Sequence, residues 1–170
     1  MTDALIQWFT TTLGGLLSEE VIVFIISMVP ILELRGGLVA AKLLGIELLP
    51  ANLLCIIGNI IPVPFILLFI TPIFTWLKGT KPFRPMVEKL ENKAMSKKDQ
   101  IEKYQFWGLM LFVGIPLPGT GAWTGSLIAS MLNMPFKKAF PATLLGIGMA
   151  AIIMDIVSYG LLGLFIQKEA

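Results

Sequence analysis

"ILELRGGLVA", residues 31 to 40, decides how this chain folds, because it sets Glu33 and Arg35 inside a stretch otherwise apolar enough for a membrane interior. A charge at the bilayer centre costs at least ~2.5 to 3.5 kcal/mol even on the lenient insertion scales. Two residues apart on an unbroken helix, the pair would point to different faces and could not meet. The stretch therefore asks for a break, and Gly36 and Gly37 directly behind it are residues that permit one.

The surrounding composition fixes the class. Of the 170 residues, 56% are hydrophobic and only 14% charged, and the mean hydropathy is +0.84. Soluble domains carry about a quarter charged residues, so this is an all-α integral membrane protein with room for one domain over 1–170. The single cysteine, Cys55, lies in an apolar run and allows no disulfide within the chain, and there is no histidine. No metal or other cofactor is expected, and any proton chemistry falls to carboxylates. Without a phosphate-binding glycine loop or a serine nucleophile elbow, the chain does not read as an enzyme. Nothing marks a nucleic-acid partner.

A membrane-spanning helix needs about 20 apolar residues. Pro50 to Leu77 and Ala139 to Ile166 meet that length, and each opens within a matching phrase, "PANLLCI" and "PATLLGI". Val21 to Leu32, Leu38 to Ile46, Phe106 to Ile115 and Leu127 to Met134 are too short. Paired around the breaks at "RGG" and "PLPGTGAWTG", they read as two re-entrant hairpins, since irregular backbone at membrane depth survives only where protein or water covers it.

The order of parts recurs: an apolar half, a polar glycine turn, a small-residue half, a corner, then a long span. The expected organisation is an interfacial helix over 1–18, a first repeat over 19–77 with its turn at 31–37, and a loop over 78–104. A second repeat follows over 105–167 with its turn at 116–125. Each unit crosses the membrane once, so the second is upside down relative to the first, an inverted repeat. Leu5, Trp8, Phe9, Leu13, Leu16 and Leu17 give the first segment an apolar face, equally suited to packing on its neighbours.

Lys78 to Lys103 holds eight of the 13 basic residues, flanked by Trp76 and by Tyr104 with Trp107, so the positive-inside rule places this loop in the cytoplasm and both ends outside. Its "MVEKLENKAMSKKDQIEKY" reads as a solvated, mixed-charge helix, with binding of anionic lipid headgroups as the other reading.

Two hairpins entering from opposite faces bring their turns together near the midplane. The expected substrate-binding set is Glu33, Arg35, Gly36 and Gly37 from the first turn. The second contributes Pro116, Pro118, Gly119, Thr120, Gly121, Thr124, Gly125 and Ser126. A guanidinium fork and two half-helix N-termini match the oxygens of a phosphate or carboxylate. Glu33 would neutralise Arg35 in the empty site, or the two form a structural ion pair bracing the turn. Asp155 is a third intramembrane charge, either a proton relay with Glu33 or a partner for Arg35 or a hydroxyl. Trp123 either plugs the second turn or lies under a ligand. Asn59, Pro62 and Pro64 imply a kink in the first long span.

At "PILELRGGLVA" and "GIPLPGTGAWTGSLIA" the sequence resembles the small multi-drug export family of short bacterial and archaeal membrane proteins, over nearly its whole length. That family is similar in architecture to the DedA/VTT superfamily, whose paired re-entrant hairpins serve lipid scramblases and proposed carriers of undecaprenyl phosphate. The DedA arginine of the second hairpin has no counterpart here, where Thr, Ser and Gly stand. The resemblance implies a multi-pass exporter in the prokaryotic cell membrane. The residues themselves favour an amphiphile with an anionic, lipid-phosphate-like headgroup, moved between the hairpins with possible proton coupling. A cationic-drug exporter and a non-transporting membrane scaffold or assembly factor are the alternatives. Membrane lipids are expected partners, as is a second copy of the chain, because one short chain shields such a site poorly.

Overall fold

A computed structural model describes residues 17–161, apart from the side chains of residues 100, 102 and 161, and every regular element among the described residues is helical. Of the interfacial helix expected over 1–18, only Leu17 and Ser18 are described, and the end of the second repeat, 162–167, lies outside the described residues.

Helix length follows the interruptions in the apolar pattern. Four helices are short: α1 (Glu19–Met28), α2 (Glu33–Leu43), α7 (Phe106–Gly114) and α8 (Ala122–Met131). At 1.5 Å per residue each is roughly 14 to 17 Å long, half a bilayer core. Uninterrupted sequence gives the long ones. α3 (Leu48–Ile60) runs through Ile61 into α4 (Pro62–Lys78), and α9 (Phe136–Asp155) passes into a π-helical turn, Ile156–Leu161. Leu48–Lys78 and Phe136–Gly160 are long and apolar enough to cross a membrane. Both begin slightly earlier than the sequence indicated. Pro62 and Pro64 have no N–H for the carbonyls of Gly58 and Ile60, which weakens the first span where a kink was expected.

The first arm of each hairpin packs on the long helix that follows it in sequence, α1 on α3 and α7 on α9, whereas the second arms cross over, α2 also meeting α9 and α8 meeting α4. The corners match as well. Gly45 and Asn133 both adopt positive φ, 77° and 52°. The next residue donates to the carbonyl five back in each, Ile46 to Ala41 and Met134 to Ala129, both at 2.9 Å. A Cβ on Gly58 would come within 2.8 Å of the Phe24 carbonyl oxygen, and one on Gly146 within 2.8 Å of that of Met110. These features recur eighty-eight residues apart, whereas the prolines of "PANLLCI" and "PATLLGI" lie ninety-one apart. The phrase match in the sequence is therefore three residues out of register with the packing.

Ile22, Val23, Ile26, Leu34, Leu38, Leu109, Ile128 and Ile147 are fully buried and form one core with the small residues Ala40, Ala41, Ala51 and Ala139. The outside is apolar too. Leu49, Leu53, Ile57, Ile61, Phe65, Phe69 and Ile73, each four residues from the last, are all exposed along the whole of α3 and α4. So continuous an apolar stripe marks a surface meant for something other than water.

The basic loop forms the surface helix expected, and it also docks along one edge. α5 (Arg84–Met95) buries Val87 and Ala94 and packs on α4 and α8, and an ion pair, Lys78 with Glu91, ties it to the end of α4. A short helix, α6 (Lys98–Glu102), then packs on α7 and α8. Mixed charge concealed an apolar edge at i and i+7.

Candidate functional site

The first turn breaks the chain earlier than its glycines suggested. α1 ends at Met28, residues 29–32 form a turn, and the helix resumes at Glu33 with φ 50°, a left-handed conformation that costs a non-glycine residue about 1 to 2 kcal/mol. Gly36 and Gly37 lie inside α2, where close packing requires them. A Cβ on Gly37 would meet the Ser27 hydroxyl and lie 2.8 Å from the Cys55 sulfur.

What holds Glu33 in that conformation lies across the molecule. Its buried carboxylate accepts the N–H of Ala122 at 3.1 Å and of Trp123 at 3.0 Å, the first two residues of α8. A negative group there satisfies free N–H groups and suits the positive helix end. Gly121, at φ 139°, makes room for it: a Cβ at that position would lie 2.8 Å from Glu33 Oε1.

Arg35 performs the converse task. Its Nη2 donates to the carbonyls of Val113 (3.3 Å) and Ile115 (3.2 Å) at the C-terminal end of α7, where the helix dipole is negative. Nη1 reaches those of Leu117 (3.0 Å) and Thr120 (3.1 Å), and Nη2 also reaches Thr120 Oγ1 (3.1 Å). Thr120 Oγ1 in turn lies 2.9 Å from the Ile115 carbonyl and 2.8 Å from that of Leu117, tightening the turn. Trp123 returns the contact, its indole N–H donating to the Met28 carbonyl at the end of α1 at 3.1 Å.

Glu33 and Arg35 thus form no ion pair with each other, contrary to the reading of a structural pair bracing the turn; each is engaged by the opposite hairpin. Released from the other by the left-handed turn, each finds partners of matching sign at opposite ends of α7 and α8.

A cavity of about 600 Å³ opens beside this clamp. Of the expected residues, Glu33, Arg35, Pro118, Gly119, Thr120 and Thr124 line it. The others do not border it. Gly36, Gly37 and Gly125 sit at close helix contacts, Gly121 backs the Glu33 carboxylate, and Pro116 is half-buried within the turn. Ser126 is fully buried with no hydrogen-bond partner for its hydroxyl. Trp123 ties the second turn to the end of α1 and also lines the cavity.

Asp155 is elsewhere. It accepts from Asn52 Nδ2 at 2.8 Å, near the corner where Tyr159 donates to the Ile46 carbonyl (2.9 Å) and Lys42 stands 5.1 Å from the Tyr159 ring centre. That corner follows the far end of α2 from Glu33, about 15 Å along the helix. Neither Arg35 nor a hydroxyl is its partner.

Two charged wall residues fall outside the expected site set, although the loop that carries them also reads as a possible binder of anionic headgroups. Lys93 and Lys97, from the loop, face the same cavity. Lys97 Nζ donates to the carbonyls of Pro118 (3.2 Å) and Gly119 (3.0 Å), and it leaves no space for a Cβ on Gly119, whose φ is 76°. A lysine in a mixed-charge helix carries no local sign that it points inward.

Long apolar helices around a buried polar clamp suggest a helical membrane protein. The chain belongs to the family described as "Putative small multi-drug export protein", whose model matches residues 33–153, from the clamp's first residue into the last turn of α9. No curated protein and no solved structure matches the chain.

Proposed function

We propose that the protein exports an amphiphile with an anionic headgroup through the cavity between its two hairpins. The observation that carries this reading is the charge on the cavity wall: three cations, Arg35, Lys93 and Lys97, face one carboxylate, Glu33, whose two oxygens already hold backbone N–H groups. Leu90, Leu117, Leu127 and Trp123 offer apolar wall to a tail. A cationic drug, the alternative substrate, finds no free carboxylate there.

The same reading takes the hairpins as re-entrant and the two units as an inverted repeat, supported by the corners and glycine contacts that recur eighty-eight residues apart. It also takes the transport step as proton-coupled through Glu33, because protonation would weaken its hold on α8. A dimer would cover the exposed stripe of α3 and α4. The test is efflux from proteoliposomes loaded with dodecyl phosphate or with an ethidium-like cation. Export of the phosphate and not the cation is expected; the reverse would hand the cavity to cationic drugs, and transport of neither would favour a scaffold.

A further inference from the structure

Arg35 is the obvious residue to receive an anionic headgroup, yet both its terminal nitrogens are engaged with backbone and Thr120 oxygens between residues 113 and 120. Removing it from that position would take five hydrogen bonds from the end of α7 and its turn. The cations nearest to being available are on the loop. Lys93 is exposed and lines the cavity, and its ammonium has no hydrogen-bond or ion-pair partner among the described residues. Lys97 lies four residues further on the same wall, half-buried, with its ammonium 5.9 Å from the Phe112 ring centre and held by two carbonyls of the second turn.

We infer that Lys93 and Lys97 are the headgroup-binding residues of this cavity, and that Lys97 doubles as a latch which exchanges the Pro118 and Gly119 carbonyls for the bound anion. The inference rests on the anionic-substrate reading and assigns the loop between the two halves a place in the site. The chemistry is plain. An ammonium with three donors binds a phosphate, sulfonate or carboxylate oxygen more strongly than neutral carbonyls, because the anion's full negative charge adds an ion–ion attraction to the hydrogen bond. When the anion arrives, Lys93 supplies a donor not otherwise engaged, and Lys97 turns from the carbonyls towards the same group. The second turn then loses both of its hydrogen bonds from Lys97. Gly119, whose Cβ position the ammonium occupies, is free to move. Arg35 stays in place and keeps the turn folded. Loading therefore loosens the 115–120 segment on the loop side, where the cavity would open.

The experiment uses the full chain in detergent micelles and in nanodiscs. Binding of dodecyl phosphate is measured for the wild type, Lys93→Gln, Lys97→Gln and Lys97→Arg. Inorganic phosphate and phosphatidylglycerol nanodiscs distinguish a free anion and a lipid headgroup from a soluble amphiphile. Movement of the turn is read from the labelling rate of Leu117→Cys, for which the buried Cys55 gives little background. We expect each Gln variant to weaken binding about tenfold and Lys97→Arg to recover part of it. Without ligand, Leu117→Cys is expected to label faster in combination with Lys97→Gln than in the wild-type background. If the wild type binds dodecyl phosphate and both Gln variants bind it equally well, the assignment to Lys93 and Lys97 is wrong while the anionic reading stands. If the wild type binds no anionic amphiphile, the anionic reading itself fails and this inference fails with it. Unchanged labelling of Leu117→Cys in Lys97→Gln would overturn the latch alone.

Discussion

Glu33 of the first hairpin and Trp123 of the second are joined at 3.0 Å, carboxylate oxygen to backbone N–H, with ninety positions of chain between them. The bond lets a carboxylate in the core serve as the N-cap that Gly121, without a side-chain acceptor, does not supply to its own helix.

Glu33→Ala should therefore leave the Ala122 and Trp123 N–H groups buried and unpaired, a loss of about 1 to 3 kcal/mol per group at most. Gly121→Ala should also destabilise, by forcing a Cβ against the carboxylate. In a double-mutant cycle read by thermal unfolding in detergent, the two costs should add to less than their sum, because Glu33→Ala removes the atoms that the new Cβ strikes. Strict additivity would mean that the two positions do not touch.

Arg35→Lys should be nearly as damaging as Arg35→Ala. An ammonium has three donors at one point and cannot reach oxygens spread from Val113 to Thr120, which the planar fork spans. Both variants should lower the melting temperature, and a lysine variant as stable as the wild type would show that the arginine does not brace the turn.

Close packing makes a sharper contrast among glycines of one helix. Gly146→Ala places a methyl 2.8 Å from the Met110 backbone oxygen, which cannot swing aside, and should cost about 1 to 3 kcal/mol. Gly148→Ala, with nothing within 4 Å, should be neutral or slightly stabilising because alanine is the better helix former. Equal melting temperatures for the two would contradict the fit of α7 on α9.

Orientation is tested by single added cysteines against the buried Cys55. Lys93→Cys should react with an impermeant reagent only from the cytoplasmic side, and Glu47→Cys, at the exposed corner after α2, only from outside. Labelling of both from one side would remove the inverted arrangement.

Glu33 and Asp155 should part company in transport. Only Glu33 touches the cavity, so Glu33→Gln should flatten the pH dependence of export while Asp155→Asn leaves its shape unchanged. A flat profile in the wild type would dismiss proton coupling.

The helical class, the two long helices and the pairing of short ones were legible because apolar length and its interruptions are local properties. Glu33 and Arg35 were legible as residues that a membrane protein keeps for a reason. Their partners were not. Which backbone N–H or carbonyl a charge finds depends on the meeting of segments that composition does not align, and "RGG" pointed to the wrong residue as the break. Lys97 was hidden for the same cause, since only the docking of α5 on α8 turns it inward.

The cross-clamp also sets an order of events at the ribosome. Arg35 and Thr120 are separated by 85 positions, so at about 5 to 20 residues per second the guanidinium waits roughly 4 to 17 s before its acceptors exist. During that interval a nascent first half holds an arginine and a carboxylate without their native partners. It is a poor candidate for lateral release into lipid. The first half would remain in the shelter of the insertion machinery until the second emerges, and truncation before residue 120 should yield a chain that is degraded rather than a stable half-protein.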